Sequence, residues 1–142
     1  MTRARLGKYL MSMVLAGQAI GGFVLDWREN HLLNPEWSGH ARFHGGLLLF
    51  MLAGVSATGL WLLWRQSKEP EVAMQAAALI SLSFWTPLLY VAAVVPGATP
   101  WAGPAGSVPH LAGYTFYPNI AAAVLLQAVT LIAWRLSRPE WL

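Results

Sequence analysis

Four long apolar runs constrain the fold of this chain more than any other feature of its sequence. They cover residues 9–25, 43–64, 72–95 and 117–136. Each run is close to the ~20 residues that a helix needs to cross a bilayer. Only 11% of the residues are charged and 56% are hydrophobic, a balance that is unusual for a soluble domain. The sequence therefore predicts an all-α integral membrane protein, a four-helix transmembrane bundle.

The four runs predict a single transmembrane domain. We expect it to cover residues 1–142, with helices at about 7–26, 40–65, 71–95 and 118–137. The first run follows a basic segment, as the apolar part of a signal peptide does. No small-x-small cleavage site precedes Asp26, so we expect this run to be retained as a membrane helix.

The basic residues lie unevenly around the four runs. Seven of the nine fall on one side of the predicted bundle: Arg3, Arg5, Lys8, Arg65, Lys68, Arg135 and Arg138. Because cytoplasmic loops carry an excess of Lys and Arg, both termini are predicted to be cytoplasmic, in a multi-pass protein of the bacterial inner membrane. Residues 26–42 and 96–119 then form the outer loops. The net charge of +3 is explained by this placement, so we expect no nucleic-acid partner.

Histidine is the main candidate for chemistry, because the absence of cysteine excludes disulfides, thiolate metal sites and cysteine nucleophiles. Residues 34–46 place two histidines where the second apolar run begins. Ser38 is predicted to cap a helix that starts at Gly39, which puts His40 and His44 one turn apart on the same face. An ionisable group in a membrane helix is costly without a partner and so marks a functional site.

Three interpretations of this histidine pair follow from the spacing. Neutral imidazoles suit a zinc, copper or iron ion. The third ligand would then come from one of the loop residues Glu29, His31, Glu36 or His110. A haem needs only one axial imidazole, and Arg42 or Arg28 could pair with its propionates. Alternatively, the histidines cap the helix and bond loop carbonyls, which is the interpretation that spacing alone favours.

Other polar or helix-breaking residues predict how the helices meet. Gly17 and Gly21, in the order Gly-x-x-x-Gly, predict a close helix contact, and Gln18 predicts an interhelical hydrogen bond. Pro87 leaves a backbone carbonyl of the third helix without its helical partner. Tyr90 follows at roughly the depth expected for His44.

The second outer loop is too long to be a simple connection. Residues 96–119 are rich in Pro and Gly and contain one histidine and two tyrosines between residues 110 and 117. We expect this loop to act as a lid that brings His110, Tyr114 and Tyr117 toward the histidine pair.

The run from Trp37 to Gly46, with Ala-Arg-Phe-His-Gly at its centre, resembles the Trp…Ala-Arg-x-His-Ser-Gly signature that opens the second helix of the styrene oxide isomerase family. These small four-helix membrane proteins carry haem b between the subunits of a trimer. Residues 116–119 are similar to the family's aromatic-Gly-Pro-Asn segment before the fourth helix, and Tyr90 is similar to its substrate-orienting tyrosine. Residues 34–44 also resemble an Asn-Pro-x-Trp-x-x-His-Ala-Arg-Phe-His run of uncharacterised bacterial and fungal membrane proteins.

The first resemblance implies a cofactor, a reaction and a set of site residues. His44 would be the axial ligand of haem b, with Arg42 and His40 beside the cofactor and Tyr90 as the catalytic residue. Ferric iron would act as a Lewis acid that opens an epoxide to an aldehyde with a 1,2-hydride shift. The substrate would be small and hydrophobic and would reach the site from membrane lipid. The protein would form a homo-oligomer. Leucines and a phenylalanine at residues 47–50 replace the asparagine that faces substrate in the family.

Two other classes of function remain open from the sequence. A metal-free isomerase of a lipid-like substrate would use Glu29, Glu36 and His40 to move protons. A non-catalytic membrane subunit would need the histidines only as helix caps.

Overall fold

The computed structural model describes residues 1–138, with Ala105 described by its backbone alone, and it is mostly helical. The helices are α1 (Arg3–Asp26), α2 (Gly39–Trp64), α3 (Pro70–Trp85), α4 (Val91–Val94) and α5 (Pro118–Leu136). Short 3-10 turns cover Thr86–Leu89 and Ala105–Ser107, and two strands, β1 (His110–Leu111) and β2 (Tyr114–Thr115), form a hairpin.

Within residues 1–138, four helical segments are long and apolar enough to cross a membrane: α1, α2, α3 together with its 3-10 turn, and α5. Most of their exposed side chains are large and apolar, such as Leu79 on α3 and Leu125 on α5. Such side chains on the outside of a bundle suit lipid rather than water. The prediction of four helices long and apolar enough to span a membrane is confirmed for the described residues, while the cytoplasmic position of the termini stays a prediction from charge.

The four long helices pack as a square with one short diagonal. Helix α1 contacts α2 and α5, α3 contacts the same two helices, and α1 also contacts α3 across the middle, whereas α2 and α5 do not touch. We call the end with the N-terminus and the α2–α3 connection the inner end, and the opposite end the outer end. The main core belongs to the inner half and consists of Met11, Leu15, Leu63, Met74, Ala77, Ala78 and Ala133.

The prediction that Gly17 and Gly21 form a close helix contact is wrong for this bundle. A Cβ atom at either position would meet no atom within 4 Å, whereas a Cβ at Gly7 would lie 2.5 Å from the carbonyl oxygen of Ala133 on α5. The buried face of α1 runs through Gln18, and its larger residues turn the Gly17 and Gly21 backbone away from the neighbouring helices.

Buried polar side chains join helices at the middle of the bundle. Gln18 is 2% exposed, and its Nε2 donates a hydrogen bond of 2.9 Å to Ser56 Oγ on α2. Trp85 Nε1 on α3 donates to Gln18 Oε1 at 3.1 Å, so one amide links three helices. The hydroxyls of Ser81 and Thr130 form a second bond of 2.8 Å between α3 and α5. The predicted interhelical hydrogen bond of Gln18 is confirmed.

The predicted continuous third helix at 71–95 is wrong in its last two turns. Helix α3 ends at Trp85, a 3-10 turn follows, and Tyr90 separates that turn from α4. Pro87 explains the break, because its nitrogen cannot donate and its ring displaces the preceding turn. Thr86 Oγ1 donates to Gln127 Oε1 at 3.0 Å, which holds the 3-10 turn on α5. This turn contacts α3, α4 and α5 but not α2.

The second outer loop does not act as a lid in this structure, so that prediction is wrong. Its hairpin pairs His110 with Thr115 and turns at two residues with positive φ, Ala112 and Gly113, as type I′ turns do. The strands contact each other and none of the helices.

Candidate functional site

The outer end of α2 is fixed by hydrogen bonds from the loop that precedes it. Ser38 Oγ accepts from Ala41 N at 3.2 Å, which confirms the predicted cap and the helix start at Gly39. Arg42 Nη2 donates to the backbone oxygen of Asn34 at 2.9 Å. Asn34 Oδ1 in turn accepts from Glu36 N at 2.9 Å. The loop therefore has a defined course beside the first two turns of α2.

His40 and His44 come together on this end of the helix, as their spacing predicts. Their Nε2 atoms are 3.1 Å apart, and their rings meet edge to face with centroids separated by 4.4 Å. If both rings are neutral, one Nε2 donates and the other accepts. Metal–imidazole bonds of about 2.0–2.1 Å place two ligand nitrogens roughly 2.9–3.4 Å apart for bond angles from a right angle to tetrahedral. The pair therefore has the separation of a two-imidazole chelate.

Both imidazoles lie on a side of α2 that no other element covers. Leu48 and Gly59 share one stripe of the helix, because eleven residues make about three turns. At Gly59 the stripe is covered by Leu15 and Ile80, whereas Leu48 is 56% exposed. The stripe that carries His40 is open in the inner half as well, because Thr58, five turns along it, is exposed. We call this uncovered surface, formed by His40, His44, Leu48, Met51 and Val55, the outer face of α2.

The opposite side of α2 is covered by the loop. A Cβ at Gly45 would lie 2.8 Å from Leu32 Cδ1 and 3.3 Å from a ring carbon of Trp37, so any larger residue would push the end of the Leu32 side chain aside. The His31 ring packs against the Trp37 ring in a tilted arrangement, with a centroid distance of 5.2 Å. The contact of Leu32 and Trp37 with α2 was not predicted from the sequence. Gly45, directly after His44, was the signal for it, because a glycine inside a helix lets neighbouring side chains approach the backbone. The loop is seated behind the helix and leaves the histidines open.

The remaining predicted site residues do not reach the pair. Tyr90 is 50% exposed and lies between the 3-10 turn and α4, neither of which contacts α2. His110 is exposed on the detached hairpin, and Tyr114 there is 80% exposed. Arg28 Nε donates to the backbone oxygen of Val24 at 2.7 Å, within its own turn. The structure thus brings together His40 and His44, whereas Arg42, two residues from each of them, points to the loop on the other side of the helix.

The pair has no third protein ligand within residues 1–138. His31 is turned into the loop, where its Nδ1 is buried and has no hydrogen-bond partner among those residues. Glu29 and Glu36 are exposed, and no three His, Asp or Glu side chains of the described chain converge on one point. A bare ion at this position would need ligands from a second chain, from solvent or from a substrate.

Comparison with known proteins identifies the family of the chain but no function. None of the curated proteins and none of the solved structures shows significant similarity to it. The model of DUF6640, described as a family of unknown function, matches residues 10–138. This match includes the four membrane helices from the second turn of α1 onward and both histidines of α2, and the chain therefore belongs to the DUF6640 family.

Proposed function

We propose that the protein is a haem-b-dependent membrane isomerase that converts small hydrophobic epoxides to aldehydes. The observation that carries the proposal is the position of His44, an uncovered imidazole at the outer end of a membrane helix. The resemblance of residues 37–46 to the styrene oxide isomerase signature supplies the cofactor and the reaction. A haem needs a single protein imidazole, which suits a site without a third ligand.

The residues around His44 fit a haem. Leu48, Met51 and Val55 offer an apolar surface directly below the imidazole. Arg42 lies two residues from His44 and therefore projects from the opposite side of the helix, where it donates to the loop carbonyl. It would pair with a propionate only after its side chain left that bond. Iron at His44 Nε2 would replace the hydrogen bond with His40. Because the outer face of α2 is open in one chain, a homo-oligomer, such as the trimer of the family it resembles, would enclose the cofactor.

The chain contributes orientation and exclusion of water in this proposal. When bound, ferric haem supplies a Lewis acid for opening the epoxide ring. The ring opening and the 1,2-hydride shift need no further reactant, so no general base is required. The Tyr90 hydroxyl forms no hydrogen bond within the described chain, although the backbone N–H and carbonyl of Tyr90 are both paired, so the hydroxyl is available to orient the substrate oxygen. Since its helical turns do not contact α2, Tyr90 would act from a neighbouring copy across the haem.

The test is purification in mild detergent from haem-replete cells, followed by spectroscopy and incubation with an aryl epoxide. We expect a Soret band that shifts on reduction, its loss in His44→Ala, and its retention in His40→Ala. Aldehyde formation would be followed by gas chromatography. A colourless preparation contradicts the cofactor, and a coloured one that leaves aryl epoxides unchanged contradicts the reaction.

A second candidate, a non-haem metal ion held by His40 and His44 together, is favoured by their 3.1 Å separation. Metal analysis of the dialysed protein distinguishes it from haem. In this case His40→Ala and His44→Ala would remove the metal equally, and neither preparation would show a Soret band. Retention of the cofactor in His40→Ala therefore supports haem, and its loss supports a metal ion held by both histidines.

The other two classes predict different results for His44→Ala. A metal-free acid–base isomerase would lose activity without a change in absorbance, and a non-catalytic subunit would change little. The ring nitrogen of His40 that has a partner is paired with His44, and neither Glu29 nor Glu36 forms a hydrogen bond or ion pair with His40 in the described structure, which gives the acid–base class less support.

We also propose that the histidines face away from the cytoplasm of the bacterial inner membrane, with both termini inside. The support is the excess of Lys and Arg at the inner end. Single cysteines at Arg5 and Ser38 should label from opposite sides of the membrane. Labelling of both from the same side would contradict this topology.

A further inference from the structure

A pocket of about 730 Å³ opens at the inner end of the bundle, on the opposite side from the histidines. It lies where the start of α1, the end of α2, the start of α3 and the end of α5 meet. Its lining includes Arg5, Lys8, Trp64, Glu71 and Arg138. The volume is within the range of about 300–1,000 Å³ that is usual for small-molecule sites. The proposed isomerase function gives this pocket no role.

The pocket has an excess of positive charge. Arg5, Lys8 and Arg138 line it, and Glu71 is the one acidic residue of its lining within residues 1–138. Each of the three cations is without an ion pair among the residues that the structure describes. Lys8 Nζ lies 4.1 Å from the centre of the Trp64 ring, and a cation–π contact holds an ammonium without neutralising its charge. The donors of these side chains therefore remain available to an anion.

Two helix starts add to this field. Helices α1 and α3 both begin at the pocket, with Ala4 and Pro70 in its lining. The first turn of a helix carries free N–H groups and a partial positive charge. No side chain caps the first turn of α3. The three cationic side chains and the uncapped start of α3 therefore favour a ligand with a negatively charged group.

The wall of the pocket is apolar and held in place. Tyr9, Leu63, Trp64 and Met74 line it together with the cations. Trp64 Nε1 donates to Ser12 Oγ at 2.9 Å, and the Tyr9 and Trp64 rings are 5.5 Å apart. A site with cations beside fixed aromatic and aliphatic surfaces suits a molecule that is anionic at one end and apolar at the other.

We propose that the inner pocket binds a phosphate group, carried by an anionic phospholipid or by a water-soluble phosphate. Arg5, Lys8 and Arg138 contact the phosphate oxygens, because Arg and Lys are the side chains that bind phosphate best. Glu71 weakens binding by repulsion. Basic pockets between membrane helices at the cytoplasmic side are typical sites for anionic headgroups.

The experiment measures how ligands raise the melting temperature of the purified full-length protein in neutral detergent. Phosphatidylglycerol, phosphatidylcholine and inorganic phosphate are titrated separately, and native mass spectrometry counts bound lipid. Stabilisation by phosphatidylglycerol but not by inorganic phosphate identifies a lipid site. Stabilisation by inorganic phosphate, with competition against the lipid, identifies a water-soluble ligand. Equal shifts with phosphatidylcholine and phosphatidylglycerol overturn the proposal.

Arg65 provides the matched control variant. It carries the same charge at the same end of the bundle and lies 5.5 Å from the Trp61 ring, but it does not line the pocket. Lys8→Gln and Arg5→Gln are each expected to weaken binding about fivefold, since a basic residue near an anionic lipid contributes about 1 kcal/mol. Arg65→Gln should change it less than about twofold by the same reasoning. An equal loss in Arg65→Gln would show general surface attraction and overturn the proposal.

Glu71→Gln is expected to increase the affinity for the phosphate group, a result that a misfolded variant would not produce. Removal of the carboxylate lowers the repulsion of the phosphate, so binding should tighten by up to about fivefold. Unchanged or weaker binding in a variant that melts normally without ligand would contradict the proposed position of the anion.

Discussion

The inner half of the bundle and its outer end are built from the same helices but packed differently. In the inner half, α1, α2, α3 and α5 surround a continuous core that includes Met11, Leu15 and Met74. At the outer end, α3 gives way to a 3-10 turn that follows α5, and α2 is left with one side open. Gln18 and Trp85 mark the level where the two regions meet.

The difference shows how this small protein separates stability from reactivity. The inner half buries apolar side chains and pairs its polar atoms, which is where membrane helices gain their packing energy. The outer end keeps two imidazoles uncovered, a costly arrangement for a structure that needs only to be stable. Substitutions that affect the two regions differently can test this separation.

The largest effect is expected where the inner half is packed most closely, at Gly7. In Gly7→Ala the new Cβ would meet the carbonyl oxygen of Ala133 at 2.5 Å, so α1 and α5 must move apart. We expect a loss of about 1–3 kcal/mol, the usual cost of overpacking. Gly46→Ala at the outer end is the control, because its Cβ meets nothing within 4 Å. Thermal unfolding in detergent measures both, and equal losses would break the comparison.

A smaller effect is expected at the boundary between the regions. Gln18→Leu removes the acceptor of Trp85 Nε1 and the donor to Ser56 Oγ, leaving both partners unpaired. The loss should be about 1 kcal/mol, since hydrogen bonds between membrane helices average ~0.6 and reach ~1.7 kcal/mol. Gln75→Leu, on an exposed position of α3, is the control in the same unfolding measurement. If the two variants unfold alike, the three-helix link does not join the regions.

The outer end should respond locally to loss of the bond between Thr86 and Gln127. Thr86→Val keeps the shape of the side chain but removes its donor, so residues 86–94 should exchange their amide hydrogens faster. We expect a cost of about 0.5–1 kcal/mol, confined to this segment. Thr58→Val, which removes a bond to Gly54 within α2, is the control. Faster exchange throughout the core would instead show that the regions are one cooperative unit.

The smallest effect is expected in the hairpin, which contacts no helix. Ala112 has φ of 52°, a conformation that glycine adopts without strain. Ala112→Gly should raise the free energy of local opening of the hairpin by about a few tenths of a kcal/mol, the net of relieved strain and added chain entropy. Amide exchange in the hairpin should slow accordingly. Ala102→Gly, in the same loop but without positive φ, should not slow it. A change in bundle melting in Ala112→Gly would show contact that the structure lacks.

Local sequence rules were sufficient for the helices and for the histidine pair. The apolar runs predicted four membrane helices, Ser38 predicted the start of α2, and the spacing of His40 and His44 placed them on one face. Each of these depends on residues within a few positions of one another. The same holds for Pro87, which predicted a disturbed helix although not its replacement by a 3-10 turn.

The relations between helices were predicted less well, because they depend on choices among distant surfaces. Gly17 and Gly21 permit a close contact, but the buried face of α1 was decided by its larger residues and by Gln18. Tyr90 and His44 were expected at the same depth in the membrane. Equal depth does not determine the direction in which the chain turns after Trp85, and the chain turns away from α2. That turn toward α5 depends on contacts between distant residues, and no local pattern encodes it.

The hairpin at residues 110–115 offers a practical route to imaging. A chain of 15.5 kDa with four membrane helices has little shape outside a detergent micelle. The turn at Ala112 and Gly113 is exposed, carries its own paired strands and touches no helix, so a rigid binding tag inserted there would leave the bundle and its histidines undisturbed. An antibody fragment on that tag would give electron cryomicroscopy an alignment marker on the same outer side as the imidazoles.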